Sequence, residues 1–160
     1  MERVTRICLH PLWRSCVEEI RQLEQKRIFC KHDVAHFLDV ARIAQIKNLE
    51  DHLAIPQELI YAAALLHDIG RHLQYREGTP HEQASAGLAK GILADCGFTQ
   101  EETAAVLKAI ASHRGSPPGG GEPLAALLYW ADKKSRACLL CSAREACDWS
   151  DSKKNLHLSI

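Results

Sequence analysis

Eight consecutive residues, Leu59-Ile60-Tyr61-Ala62-Ala63-Ala64-Leu65-Leu66, carry no charge and run straight into the polar pair His67-Asp68. Pro56 suits the first turn of a helix, so a helix from about Pro56 to Gly70 is predicted, with Gly70 as a left-handed cap. A helix apolar on every side is stable only when other elements surround it. The chain therefore needs a layer of amphipathic helices around this one. Polar side chains at its buried end are costly unless paired or metal-bound.

The flanking sequence supplies that layer. Leu12, Val17, Ile20 and Leu23 share one side of a helix from about Pro11 to Arg27. Val34, Phe37, Leu38, Ala41 and Ala44 recur at helical spacing over about Lys31 to Leu53. Thr79-Pro80-His81-Glu82 reads as a capping box opening a helix that stops near Gly97. Thr99 caps another, through about His113, and a last helix runs from about Leu124 to Arg136. Alternating β-branched runs and internal repeats are absent. The reading is all-α: one compact helical bundle of five or six helices. It divides into an N-terminal helical part (1–29), a core (30–136) and a Cys-bearing appendage (137–160). Residues 115–123, GSPPGGGEP, read as a surface connector, with a lid as the alternative.

Charge excludes some functions. Lys+Arg and Asp+Glu are both 20, so there is no basic field to hold duplex nucleic acid. No apolar run approaches the roughly 20 residues of a membrane helix. The N-terminus is charged and broken by Pro11, unlike a secretion signal, which places the protein in the cytoplasm. The sequence sets no oligomeric state.

Four potential ligands sit at inward positions on separate elements: His36, His67-Asp68 and Asp132, the last after the apolar stretch 124–131. His81 shares a face with Ser85, Leu88 and Ile92, and His113 continues the face of Val106 and Ile110. Taken singly, each is read as a satisfied core histidine or a helix cap. Taken together they point to an imidazole–carboxylate metal site suited to Fe, Mn, Zn or Co. His10, His52 and His157 are assigned to the surface, and His72 fits either setting.

The order and local contexts resemble the HD-domain superfamily of metal-dependent phosphohydrolases. HFLDVARIA, AALLHDIGR, HEQASAGLAKGIL and LLYWADKKSR are similar to its successive motifs over about residues 30–136. The resemblance implies that His36, His67, Asp68 and Asp132 hold one metal. It implies that His81 and His113 hold a second, with Asp68 bridging. One or two divalent ions (Fe, Mn, Zn, Co or Mg) are the expected cofactors. The expected partner is a small phosphorylated metabolite, a nucleotide. The expected reaction is hydrolysis of a phosphoester or phosphoanhydride by a metal-activated hydroxide that Asp68 orients. Arg71 and Lys133 are the first candidates for meeting phosphate charge, and Arg114, Arg136 and His32 for touching the substrate. The Gly-Tyr-Pro signature of cyclic-di-GMP phosphodiesterases is absent. Two alternatives stay open: a di-iron oxygenase of the same superfamily, and a non-enzymatic metal or redox-sensing module.

Cys138-x2-Cys141-x5-Cys147 is a three-thiolate pattern that a fourth ligand would complete as a zinc site or an iron–sulfur cluster. Its spacing resembles the iron–sulfur loops of some DNA glycosylases and nucleases. Cys30 is the best remote fourth ligand. Cys8, Cys16 and Cys96 are spaced like core thiols.

Overall fold

In the computed structural model, which describes residues 1–115 and 122–158, the apolar helix is central. It is α4, Gln57–Leu66, and Ile60 and every residue from Ala62 to Leu66 are fully buried. Before it come α1 (Glu2–Leu9), α2 (Pro11–Leu23) and α3 (Val34–Glu50). After it come α5 (Arg71–Glu77), α6 (His81–Asp95), α7 (Gln100–Ala111) and α8 (Pro123–Lys134). Helices α1, α3, α6, α7 and α8 all touch α4, as an all-round apolar surface requires. Two single-turn 3-10 helices, Cys138–Leu140 and Arg144–Ala146, follow α8. The described residues include no strand, and none of their helices is long and apolar enough to cross a membrane.

Several local expectations are corrected. The N-terminal part holds two helices, because Val4 and Ile7 of α1 join the core together with Trp13 and Cys16 of α2. Gly70 is not a left-handed cap: its φ is −81°. Helix α4 ends at Leu66, a short turn carries His67 to Gly70, and α5 begins at Arg71. Thr79 forms no capping box, since Pro80 is the N-cap of α6 and no side chain caps it. The capping box is at α7, where the Glu102 amide donates to Thr99 Oγ1 and the Thr99 amide donates to Glu102. Residues 116–121 of the expected connector lie outside the described residues.

The end of α4 is anchored through an orphan carbonyl. The last carbonyls of a helix lack intrahelical partners, and Trp13 Nε1 donates to that of Leu65 at 2.8 Å in the interior. Trp13→Phe keeps most of the packing but strands this acceptor. The expected cost is about 1–3 kcal/mol, read from the urea midpoint.

Arg3 ties three helices together. Its guanidinium meets Glu58 at 2.8 Å and Glu102 at 2.6 Å, and stacks on Phe98. Hydrogen bonds to Arg3 hold the Glu102 carboxyl below its ordinary value. Those from the chain's amino terminus and Arg3 do the same for Glu58. A depressed carboxyl adds stability that is present above its unfolded pKa and lost as pH falls through the folded one. Arg3→Ala should therefore cost about 0.5–1 kcal/mol at pH 7 in low salt. The difference from wild type should fade below about pH 4.5, as paired urea melts at pH 7 and pH 3.5 would record.

Candidate metal centre

The site lies where the ends of α4 and α8 meet the first turns of α3 and α6. The Asp33 carboxylate caps α3 by accepting from the His36 amide at 2.9 Å. That cap fixes the turn from which His36 projects inward. His67 and Asp68 occupy the turn after α4 and are fully buried; Asp132 is on the last turn of α8, and His81 opens α6.

His36, His67, Asp68 and Asp132 each place one ligand atom within 4.8 Å of the others, and Asp68, His81 and His113 form a second such group. The two oxygens of Asp68 divide between them. Oδ2 is 3.2 Å from His67 Nε2 and 3.8 Å from His36 Nε2, while Oδ1 is 3.2 Å from His81 Nε2 and 3.6 Å from His113 Nε2. Asp132 Oδ1 closes the first group at 3.4 Å from His36 Nε2.

Every one of these imidazoles is oriented by its other nitrogen. His67 Nδ1 donates to the Ala64 carbonyl at 2.7 Å, and His113 Nδ1 to that of Ile110 at 2.6 Å. His81 Nδ1 donates to Gln74 Oε1 at 2.8 Å. Ser135 Oγ donates to the Asp132 carbonyl and so accepts from His36 Nδ1 at 3.2 Å. An acceptor at Nδ1 puts the ring hydrogen there and leaves the Nε2 lone pair facing the centre. That is how metal-binding imidazoles are held.

The centre fits a cation. His67 Nε2 and both Asp68 oxygens are buried and lack any hydrogen-bond partner, a costly arrangement for polar atoms. The Nε2 atoms of His81 and His113 lie 3.2 Å apart, so two lone pairs repel unless a positive charge lies between them. Burial opposes charge on Asp68, but His67 and Arg71 outweigh it and hold the carboxyl well below its usual range. Asp132 is also held low despite its burial, chiefly by its neighbours His36 and His67. Burial opposes protonation of His67, but the two carboxylates overcome it and lift the imidazole to about 9. Proton and metal thus compete for the same nitrogen.

The candidate cations differ in placement. Arg71 Nε is 3.0 Å from Asp68 Oδ1 but is not aligned to donate to it. Lys133 Nζ is 2.6 Å from Asp132 Oδ2. Arg136 is buried, with Nη2 3.0 Å from His36 Nε2 and 3.2 Å from Asp132 Oδ1. Arg114 is more than half exposed and faces Glu82 at 3.5 Å.

Sequence reading missed the support beneath His32. His32 Nδ1 lies 2.5 Å from Glu24 Oε1, its amide donates to Glu24 Oε2, and its Nε2 is 3.9 Å from Asp68 Oδ2. Tyr75 also donates to Glu24. Burial raises the Glu24 carboxyl, but His32 and Tyr75 outweigh it and bring it to about 2. Burial takes His32 down to about 4 despite that partner. Glu24 directly follows α2, and no local pattern marks it; only the fold brings it to His32. His72, also buried, donates to the Ile69 carbonyl and faces neither group.

Among the described residues no three cysteine sulfurs gather within 4.8 Å, and all seven thiols are free.

A family model described as HD domain matches residues 33–141. A protein of Clostridium beijerinckii without an assigned function is 46% identical over 138 residues, covering 86% of each chain. Ribonuclease Y 1 of Pediococcus pentosaceus is 30% identical over 105 residues, or 66% of this chain and 18% of that one. Ribonuclease Y of a Sulfurovum species is 29% identical over 107 residues, covering 67% and 19%. The chain thus spans less than a fifth of those ribonucleases. A crystal structure from an uncultured Thermotogales bacterium, named a predicted HD superfamily hydrolase, superposes with a TM-score of 0.66. It is 24% identical and covers 92% of this chain and 82% of that one.

Proposed function

The chain belongs to the HD-domain family of metal-dependent phosphohydrolases, and from that membership we propose that it hydrolyses a small phosphorylated metabolite, a nucleotide, at a dinuclear centre. The observation that carries the two-ion reading is the division of Asp68, whose oxygens face two separate histidine groups. In this reading His36, His67, Asp68 and Asp132 hold one ion, and Asp68, His81 and His113 hold the other. When bound, such a pair supplies Lewis acidity and a low-pKa water at neutral pH.

The chain's own residues do the rest. Asp68, held as a carboxylate by its neighbours, orients the attacking water. Arg71 and Arg136 flank it on opposite sides, beside His81 and His36, and meet the phosphoryl oxygens. Lys133 stands beside Asp132 at the more exposed rim. His32, neutral near pH 7 and backed by Glu24, presents its Nε2 to the centre, 3.9 Å from Asp68 Oδ2. The likeness to ribonuclease Y, over 18% of that chain in the Pediococcus protein, supports phosphoester chemistry and a substrate carrying a nucleotide.

The test is metal analysis together with a substrate panel. Protein loaded with Mn2+ or Fe2+ should hold two ions per chain and release phosphate from at least one member of a nucleotide and phosphoester panel. A single ion at saturation would remove the dinuclear reading. Silence across the panel would remove the nucleotide assignment.

A further inference from the structure

The cysteines that the proposed chemistry leaves unused are brought together by the fold. Cys30 lies just before α3, and Cys138 begins the first 3-10 turn after α8. More than a hundred residues separate them, yet Arg136 Nη1 donates to the carbonyl of Lys31 at 3.3 Å. That contact lays the start of the tail against the Cys30 segment. Arg27 Nε holds the same segment from the other side by donating to the Cys30 carbonyl at 2.9 Å. Cys30 and Cys141 line one cleft of about 380 Å³, with Arg136 and Ser135 on its inner wall. The tail is fastened there. Asn155 Nδ2 donates to the carbonyls of Lys133 (2.7 Å) and Arg136 (2.9 Å), and the Leu139 amide donates to the Asn155 carbonyl.

Among the described residues no three of these sulfurs lie within 4.8 Å of one another, so the site has to close around its ion, and the backbone of the tail favours that. A 3-10 helix has three residues per turn, so positions i and i+3 eclipse. The turn from Cys138 closes through the Cys141 amide onto the Cys138 carbonyl at 3.2 Å, which holds the two residues one short turn apart. Cys147 follows the second such turn.

We infer that Cys30, Cys138, Cys141 and Cys147 form a four-thiolate site for one zinc ion, separate from the His/Asp centre, which staples the tail to the domain. Zinc takes tetrahedral sulfur sets of this kind, with two ligands from a Cys-x2-Cys turn. Closing the site draws the Cys147 segment inward. The turn Arg144–Ala146 has no buried residue, so this movement breaks no core contact. The staple also fixes the backbone of Arg136, which reaches His36 and Asp132.

The experiment needs no substrate. Full-length protein, reduced and stripped by a chelator, is titrated with Co2+ alone and then Zn2+. A near-ultraviolet sulfur-to-cobalt charge-transfer band is expected, which a centre of nitrogen and oxygen ligands does not produce. Zn2+ should bleach it and shield four of the seven thiols from a thiol reagent. Cys141→Ser and Cys147→Ser should each weaken the band and loosen Zn2+ binding with the helical circular dichroism intact, while Cys8→Ser keeps both at the wild-type level. Co2+ bound without that band overturns the inference. So does acid-labile sulfide in anaerobically purified protein, which means an iron–sulfur cluster, or thiols lost in pairs under mild oxidation whether or not zinc is present.

Discussion

Asp68→Asn should abolish turnover and empty the metal centre. The substitution preserves shape but halves the ligand capacity of the one side chain that faces both histidine groups, and it removes the charge that favours a cation there. A bound ion supplies several kcal/mol of transition-state stabilisation, so losing it is expected to cost at least about 10³-fold in kcat/KM. Asp68→Ala should do the same and should also destabilise the protein. It leaves the buried His67 and the partly buried Arg71 without their nearest carboxylate, and breaking a buried ion pair from one side costs about 3–5 kcal/mol. Comparing the two variants separates chemistry from folding. Full metal content and wild-type turnover in Asp68→Asn would sink the assignment of this centre.

Gly70→Ala should be the most damaging glycine-to-alanine change among the described residues. A Cβ there would meet the Ser85 backbone nitrogen at 2.4 Å, Ala84 Cβ at 2.6 Å and the Ala84 carbonyl carbon at 2.8 Å. Two of these atoms are backbone, and Ala84 has no rotamer to yield, so the turn after α4 must move away from α6. The same turn carries His67 and Asp68, and α6 carries His81. Their spacing is set here, and the Gly70 amide donating to Ser85 Oγ at 2.9 Å fixes it further. Overpacking of this kind costs about 3 kcal/mol or more when backbone must shift. On the proposed two-ion reading, metal at the group around His81 should be lost before metal at the group around His67. Gly87→Ala and Gly91→Ala, exposed on α6 with nothing within 4 Å of an added Cβ, are the controls. Each should stabilise the helix by about 0.5–1 kcal/mol. Equal midpoints for Gly70→Ala and wild type in urea would refute the close-approach argument.

Much of the fold was legible because its signals are local. The apolar run 59–66 demanded a central helix, and α4 is surrounded by five others. Periodicity placed α3, α6, α7 and α8 within a few residues. The helix Glu2–Leu9 was overlooked because its inward positions, Val4 and Ile7, are too few to show a period. Gly70 was misread for a different reason. Glycine at a helix end usually answers a demand on φ, but here it answers the proximity of a helix that begins eleven residues later. The six His and Asp positions could be named because each shares an element with an inward apolar face, and because their order resembles the HD-domain motifs.

Sequence alone thus determined which residues form helices and which faces turn to the interior, because both follow from side-chain periodicity over a few turns. Tertiary structure alone decided the rest. It set which nitrogen of each imidazole faces the centre, how the two oxygens of Asp68 are shared, that Glu24 lies under His32, and that Cys30 lies alongside the tail. Those outcomes depend on positioning, to within an ångström, helices that are far apart along the chain. No short stretch of residues encodes such distances; they emerge only when all the apolar faces are buried at once.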